Sequence, residues 1–256
     1  MILFDEIIYG PVHSRRLGIS LGVNLLPLHA KICTFDCVYC ECGENTTVHE
    51  TKLPNRQQVY EALEAKMKAM KEEQKFPDVI TFAGNGEPTL HPEFEDIIDD
   101  TIELRNQYCP NAKVSVLTNS TRLHKPSVFK ALKKIDNPIL KFESAFDRTV
   151  QLIDRPVSKQ FTVDWLKNQI KRFEGKMIIQ TMFLRGENNG EKFDNTTDEE
   201  VDAWLDALIE MGARSVMIYT IDRETPIKTL EKISIEELNR IAEKVRAKGI
   251  EVSVAG

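Results

Sequence analysis

The order of hydrophobic and polar positions divides the chain into short, nearly unbroken apolar runs separated by stretches of helical period. Runs at residues 17–26, 78–83, 114–117, 139–142, 177–185 and 215–221 are rich in Val, Ile, Leu and Phe, and their length predicts strands buried on both faces. Between them, Val59, Leu63, Met67 and Met70 recur at helical steps with charges interposed, so the methionines read as core fillers. Phe94, Ile97, Ile98 and Thr101 mark a second helix, and Val128, Phe129 and Leu132 a third, opened by Pro126. Further helices follow from Phe161, Leu166 and Ile170 and from Val201, Trp204, Leu205 and Leu208, and Ser234-x-x-Glu237 is a capping box for the last. Residues 2–9 predict a short leading strand ended by Gly10-Pro11, residues 186–198 a polar loop with the composition of a lid, and Gly249 precedes a terminal strand. Strand and helix alternating through the chain predict an α/β fold in which a parallel sheet, covered by outer helices, curls into a barrel or partial barrel. The carboxyl ends of its strands then form the active-site rim.

With 256 residues, the chain is read as one domain, residues 1–13 leading into a barrel over 14–256. Its 41% hydrophobic and 29% charged content is ordinary for a soluble protein, and 7% aromatics do not suggest a surface for stacking bases. A net charge of −6 argues against a nonspecific grip on nucleic acid. The N-terminus carries acids where a secretory signal has bases, and no apolar run reaches membrane-spanning length, which predicts a cytoplasmic protein.

Four of the five cysteines crowd into Lys31-Ile-Cys-Thr-Phe-Asp-Cys-Val-Tyr-Cys-Glu-Cys-Gly43. Cys33, Cys37 and Cys40 form a C-x₃-C-x₂-C run, short enough for one loop to aim three sulfurs at a common centre. A structural zinc site needs four closed ligands, usually from two ligand pairs. No second pair follows; only Cys109 and the scattered His13, His29, His49, His91 and His124 lie outside the run. A cubane cluster on three cysteines instead keeps one iron open for a non-protein ligand. Cys42 is either a fourth ligand that closes the site or a bystander, because in extended chain it shares a face with Cys40.

A second chemical stretch, Gly84-Asn-Gly-Glu-Pro-Thr-Leu-His-Pro92, stands at the end of the 78–83 run. Its glycines allow close approach of backbone to a ligand, and Glu87 with freed carbonyls accepts hydrogen bonds from an ammonium; an ordinary strand-to-helix turn is the plainer alternative. Thr118 and Asn119, Glu143, Ser144 and Asp147, and Tyr219 fall at later strand ends. Gln180 and Met182 share one face of the fifth strand, where a buried Gln needs a partner. Arg15 and Arg16 are either solvated charges or a clamp for an anion.

The cysteine spacing, with Tyr39 directly before the last cysteine, resembles the signature of the radical S-adenosylmethionine (radical SAM) superfamily. The resemblance implies an open (β/α)6 barrel of the radical SAM type and a 4Fe–4S cluster on Cys33, Cys37 and Cys40. S-adenosyl-L-methionine would chelate the fourth iron, with Tyr39 near the adenine and the segment from Gly84 through Asn85, Gly86, Glu87 and Pro88 at the methionyl amine. It further implies a ribose contact from Ser144; by their place at the rim, Thr118 and Asn119 are candidate ribose or carboxylate contacts, against a plain polar loop, and Gln180, Met182 and Tyr219 candidate cofactor contacts. Reductive cleavage of the cofactor would yield a 5′-deoxyadenosyl radical that takes hydrogen from an unidentified substrate, with a flavodoxin or ferredoxin as electron donor. Tyr9-Gly-Pro-Val through Leu17-Gly resembles a subgroup related to wyosine-forming tRNA enzymes, although no cysteine precedes Cys33 to supply their second cluster. An activase for a partner enzyme and a non-catalytic iron–sulfur or zinc protein are the other classes in view.

Overall fold

The computed structural model describes residues 2–45 and 52–256, so His49 lies outside the described residues. Its main sheet has eight strands in the order β1-β2-β3-β4-β5-β6-β9-β11. These are β1 (Ile8–Ser14), β2 (Gly18–Val23), β3 (Val79–Phe82), β4 (Lys113–Thr118), β5 (Asn137–Lys141), β6 (Ile178–Met182), β9 (Ser215–Tyr219) and β11 (Glu251–Ala255). β1 pairs antiparallel with β2, and every later neighbour is parallel. The sheet curls into a half-barrel of the kind the alternating pattern predicts. All four residues of β3 are buried, as a strand covered on both faces demands.

The outer layer is α1 (Arg56–Glu72), α2 (Phe94–Tyr108), α3 (Pro126–Lys134), α4 (Asp147–Ile153), α5 (Val163–Lys171), α6 (Asp198–Glu210) and α7 (Ile235–Ala247). α1 begins in a full capping box, Asn55 with Gln58, and buries Val59, Leu63, Met67 and Met70. Each such side chain taken from water stabilises by roughly 1.5–3 kcal/mol, enough to hold an otherwise very polar helix to the sheet. At the start of α7, Ser234 accepts from the Glu237 backbone N–H at 3.1 Å, the capping half of its predicted box.

Three local expectations are corrected. The leading strand starts at Ile8, not Ile2, and runs through Gly10-Pro11, where the register with β2 shifts between Tyr9 and Val12. On an edge strand a bulge accommodates a proline, so this pair does not end the strand. The apolar run at 177–185 breaks at Phe183, β6 giving way to β7 (Leu184–Asn188). The polar stretch after it is a hairpin, β7 with β8 (Glu191–Asp194), which β10 (Glu231–Lys232) extends to a three-stranded sheet. Asn189 and Gly190 both take positive φ at its tip, the pairing a tight two-residue hairpin requires.

Parallel register sets the rim. Thr118 is level with Leu140, Lys141 with Gln180, and Met182 with Tyr219, so the ends of β4, β5, β6 and β9 deliver polar side chains at similar height.

Candidate active site

The cysteine loop follows β2 and is fixed at several points along its length. Ile32 bridges to Gly86, with Ile32 N–H donating to the Asn85 carbonyl at 2.9 Å and Glu87 N–H returning a bond to Ile32 at 3.1 Å. Gly86 has φ +134°, and a Cβ there would stand 1.8 Å from the Ile32 oxygen, so this contact requires glycine. Farther along, Asp36 and Val38 N–H groups donate to the carbonyls of Asp154 and Ile153 at the end of α4. Lys31, 2% exposed, ties the loop's ends by donating to the Gly43 carbonyl at 2.7 Å and to Asp36 at 3.1 Å.

Cys33, Cys37 and Cys40 thereby line one cavity of about 280 Å³. Among the described residues no three His, Cys, Asp or Glu side chains converge to single-ion distance. Three cysteines of one loop lining a common cavity are the donor set of a cluster, whereas a closed zinc site takes four ligands. Burial pushes the Cys33 thiol up to about 12 and the Cys37 thiol well up, so both wait for a positive partner to become thiolates. Cys40 goes the other way, to about 6, through a hydrogen bond from the Cys42 thiol helped by the Lys31 charge. Cys42 itself is held up by that bond and burial, has the Gly84 carbonyl as a second neighbour at 3.4 Å, and does not line the cavity. Cys109 caps the end of α2, 1% exposed in the core. The donor set therefore fits a cluster on three thiolates.

Gly84, Gly86 and Glu87 form the wall beside the cysteines. The Glu87 carboxylate accepts from Thr89 N–H (3.1 Å), Thr89 Oγ1 (2.5 Å), Thr118 Oγ1 (2.6 Å) and Asn119 N–H (2.7 Å). Burial still outweighs these bonds and raises its pKa. Thr118 and Asn119 also face the cavity, the Asn119 amide donating to Thr34 Oγ1 at 2.8 Å and to Cys33 Sγ at 3.5 Å. Tyr39, Gln180, Met182 and Tyr219 complete the far wall.

Two expected contacts are turned away. Asn85 is fully buried, its amide donating to the carbonyls of Phe4 and Pro27 and accepting from Phe4 N–H, all at 2.8 Å. The asparagine thereby clamps the leading segment to the loop. Ser144 is fully buried and donates to Glu200 of α6 at 2.6 Å. Past the end of β5 the side chains still alternate, so Lys141 and Glu143 face the cysteine side while Ser144 faces outward.

Lys141 is a functional residue the sequence reading missed. Its ammonium lies 3.6 Å from Cys37 Sγ, 3.1 Å from Glu143 and 3.4 Å from Asp154, and it bonds the Tyr39 hydroxyl, which in turn donates to Glu143. A lysine closing a buried strand was the available signal, since such a charge needs an internal partner. Arg16, left open between two roles, enters the cavity and lies 4.3 Å over the Tyr219 ring.

A family model described as the radical SAM superfamily matches residues 28–196, the span that contains the cysteine loop, the Gly84 segment and most of the rim. The chain belongs to the radical SAM superfamily. This radical SAM chain is 30% identical over 238 residues to a "UPF0026 protein" of Helicobacter pylori, covering 91% of the chain and 71% of that relative. Among solved structures it is similar to a radical SAM methyltransferase from Sphaerobacter thermophilus (TM-score 0.66, 14% identity, 92% of this chain and 65% of that one). It is also similar to TYW1 with a lysine-pyruvate adduct bound (TM-score 0.61, 14% identity, 89% of this chain and 73% of that one). At these identities the likeness is one of fold, and the chain spans less than two thirds of the methyltransferase. No helix among the described residues is long and apolar enough to cross a membrane.

Proposed function

We propose that this radical SAM protein holds a 4Fe–4S cluster on Cys33, Cys37 and Cys40 and cleaves S-adenosylmethionine reductively. A cluster held there would supply the one-electron reduction that cleaves S-adenosylmethionine and so the radical chemistry by which hydrogen would be taken from a substrate. The observation that carries this reading is that Cys33, Cys37 and Cys40 from one loop share a cavity with the Gly84–Glu87 turn, and that Cys42 is not part of its lining.

The chain's own groups have separable tasks. The hydrogen bond from Cys42 and the Lys31 charge favour the thiolate of Cys40, and the Lys31 and Lys141 ammoniums offset the negative charge of three thiolates. Glu87, immobilised by four hydrogen bonds, and the neighbouring glycine carbonyls receive the methionyl ammonium. Thr118 and Asn119 stand within reach of its carboxylate or the ribose, and Tyr39, Gln180, Met182 and Tyr219 form the wall for the nucleoside. A small reduced flavodoxin or ferredoxin is the donor class that matches one-electron delivery.

The test is release of 5′-deoxyadenosine from S-adenosylmethionine and dithionite by anaerobically reconstituted protein. Wild type is expected to release it and Cys40→Ala to release none; equal release by both would remove Cys40 from the ligand set. The likeness of Tyr9–Val12 and Leu17-Gly18 to wyosine-forming enzymes favours tRNA guanosine as a second reading of the substrate. Release stimulated only by added bulk tRNA would establish it, and no stimulation would dismiss it.

A further inference from the structure

We infer that Arg16 is an anchor for an anionic group, a carboxylate or phosphate, bound in the cysteine cavity. The inference rests on the radical SAM reading of that cavity and adds a recognition residue to it.

Arg16 sits in the turn between β1 and β2, outside the parallel strands that carry the other cavity residues. Two bonds shape the turn, the Arg16 and Leu17 N–H groups donating to Ser14 Oγ at 3.3 and 3.2 Å. Its neighbour Arg15 fixes the turn across the open side of the half-barrel, donating to the Gly256 carbonyl at 3.1 Å and pairing with Asp222 at 3.4 Å. Arg16 is thereby directed inward, and its guanidinium carbon stands 4.3 Å over the Tyr219 ring while the residue lines the cavity.

That stacking satisfies one face of the group but none of its N–H donors. Nη1 is buried and has no hydrogen-bond partner among the described residues. Leaving a buried donor of a charged group unmade costs more than a typical hydrogen bond contributes, and such a donor is ordinarily matched. A guanidinium carries N–H groups in a fixed fork that matches the oxygens of a carboxylate or phosphate, so a cavity lined by one with an unmatched donor suits such an anion. Glu87, the buried carboxylate of the same cavity, is turned toward Thr89, Thr118 and Asn119 and does not pair with Arg16. An incoming anion supplies what the fold withholds. Two sources share this chemistry: the carboxylate of S-adenosylmethionine and an acidic group on the molecule that gives up hydrogen.

The experiment uses wild type, Arg16→Lys and Arg16→Met, each checked for the same iron and sulfide content after reconstitution. Equilibrium dialysis measures S-adenosylmethionine binding, and thermal shift of cluster-free protein measures binding of inorganic phosphate and of succinate. If the anchor holds the cofactor, Arg16→Met weakens S-adenosylmethionine about tenfold or more, the loss of a charge-assisted pair, with Arg16→Lys between. If it holds the substrate, cofactor affinity stays within about twofold, while phosphate or succinate stabilises wild type and not Arg16→Met. Both measurements unchanged in Arg16→Met, or no anion stabilising even wild type with cofactor affinity intact, would overturn the inference. A wild type that takes up no cluster and binds no S-adenosylmethionine refutes the underlying reading instead, and the phosphate and succinate arm still decides Arg16.

Discussion

Lys141→Met isolates the charge cluster beneath the cavity. Lys141 faces Glu143 at 3.1 Å and Asp154 at 3.4 Å, and those carboxylates are essentially inaccessible, 0% and 2% exposed. At an effective dielectric of 20, each contact is worth about 5 kcal/mol of Coulomb attraction. Desolvation offsets much of that, so removing the one cation from two buried anions is expected to cost about 3–5 kcal/mol near neutral pH. The sign of the pH dependence follows from burial, which already lifts Glu143 to about 7 and raises Asp154 while Lys141 pulls both down. Without Lys141 both rise further, and the folded variant holds protons that the unfolded chain has released. Its stability therefore falls as pH rises from about 5 toward 8, and the gap from wild type widens over that window. Urea denaturation of cluster-free protein at the two ends of the range measures it. The triple variant Lys141→Met/Glu143→Gln/Asp154→Asn should recover most of the loss, because no charge is left unpaired. A deficit below about 1 kcal/mol at both ends would refute the claim that this lysine neutralises buried carboxylates.

Asn85→Ala removes three side-chain hydrogen bonds from a fully buried site and orphans the Phe4 and Pro27 backbone groups. A loss of about 2–4 kcal/mol is expected, and Asn85→Gly should fare no better; denaturant midpoints with unchanged slope test both. Glu200 is raised by burial against the opposing bonds from Ser144 and Thr149. Because a raised acid holds its proton in the folded state, wild type should gain stability relative to Glu200→Gln as pH falls from about 7 to about 5; parallel curves would contradict this.

What the sequence revealed, and what it concealed, has a physical pattern. The superfamily was legible because its signature is confined to one short segment, the cysteine loop, where neighbours in sequence must be neighbours in space. The buried strands were legible too, since runs such as Val79-Ile80-Thr81-Phe82 leave no polar face for water. The β7–β8 hairpin was lost in a polar stretch, although Asn189-Gly190 carried its turn signal. α4 was missed because seven residues give barely two turns of periodicity. Ser144 and Lys141 depended on which side of β5's end each faced, a parity that sequence alone does not fix to one residue. Arg16 could not be assigned because its role depends on Arg15 reaching Asp222 and Gly256 at the other end of the chain.

The account's central claim is that three thiolates hold the cluster and leave a coordination position for the cofactor. Electron paramagnetic resonance of reduced Cys42→Ala, with iron content, measured before and after adding S-adenosylmethionine, tests it most directly. The account predicts iron equal to wild type and a spectrum that changes on adding the cofactor. Loss of iron in Cys42→Ala, or a wild-type spectrum indifferent to S-adenosylmethionine, would contradict it.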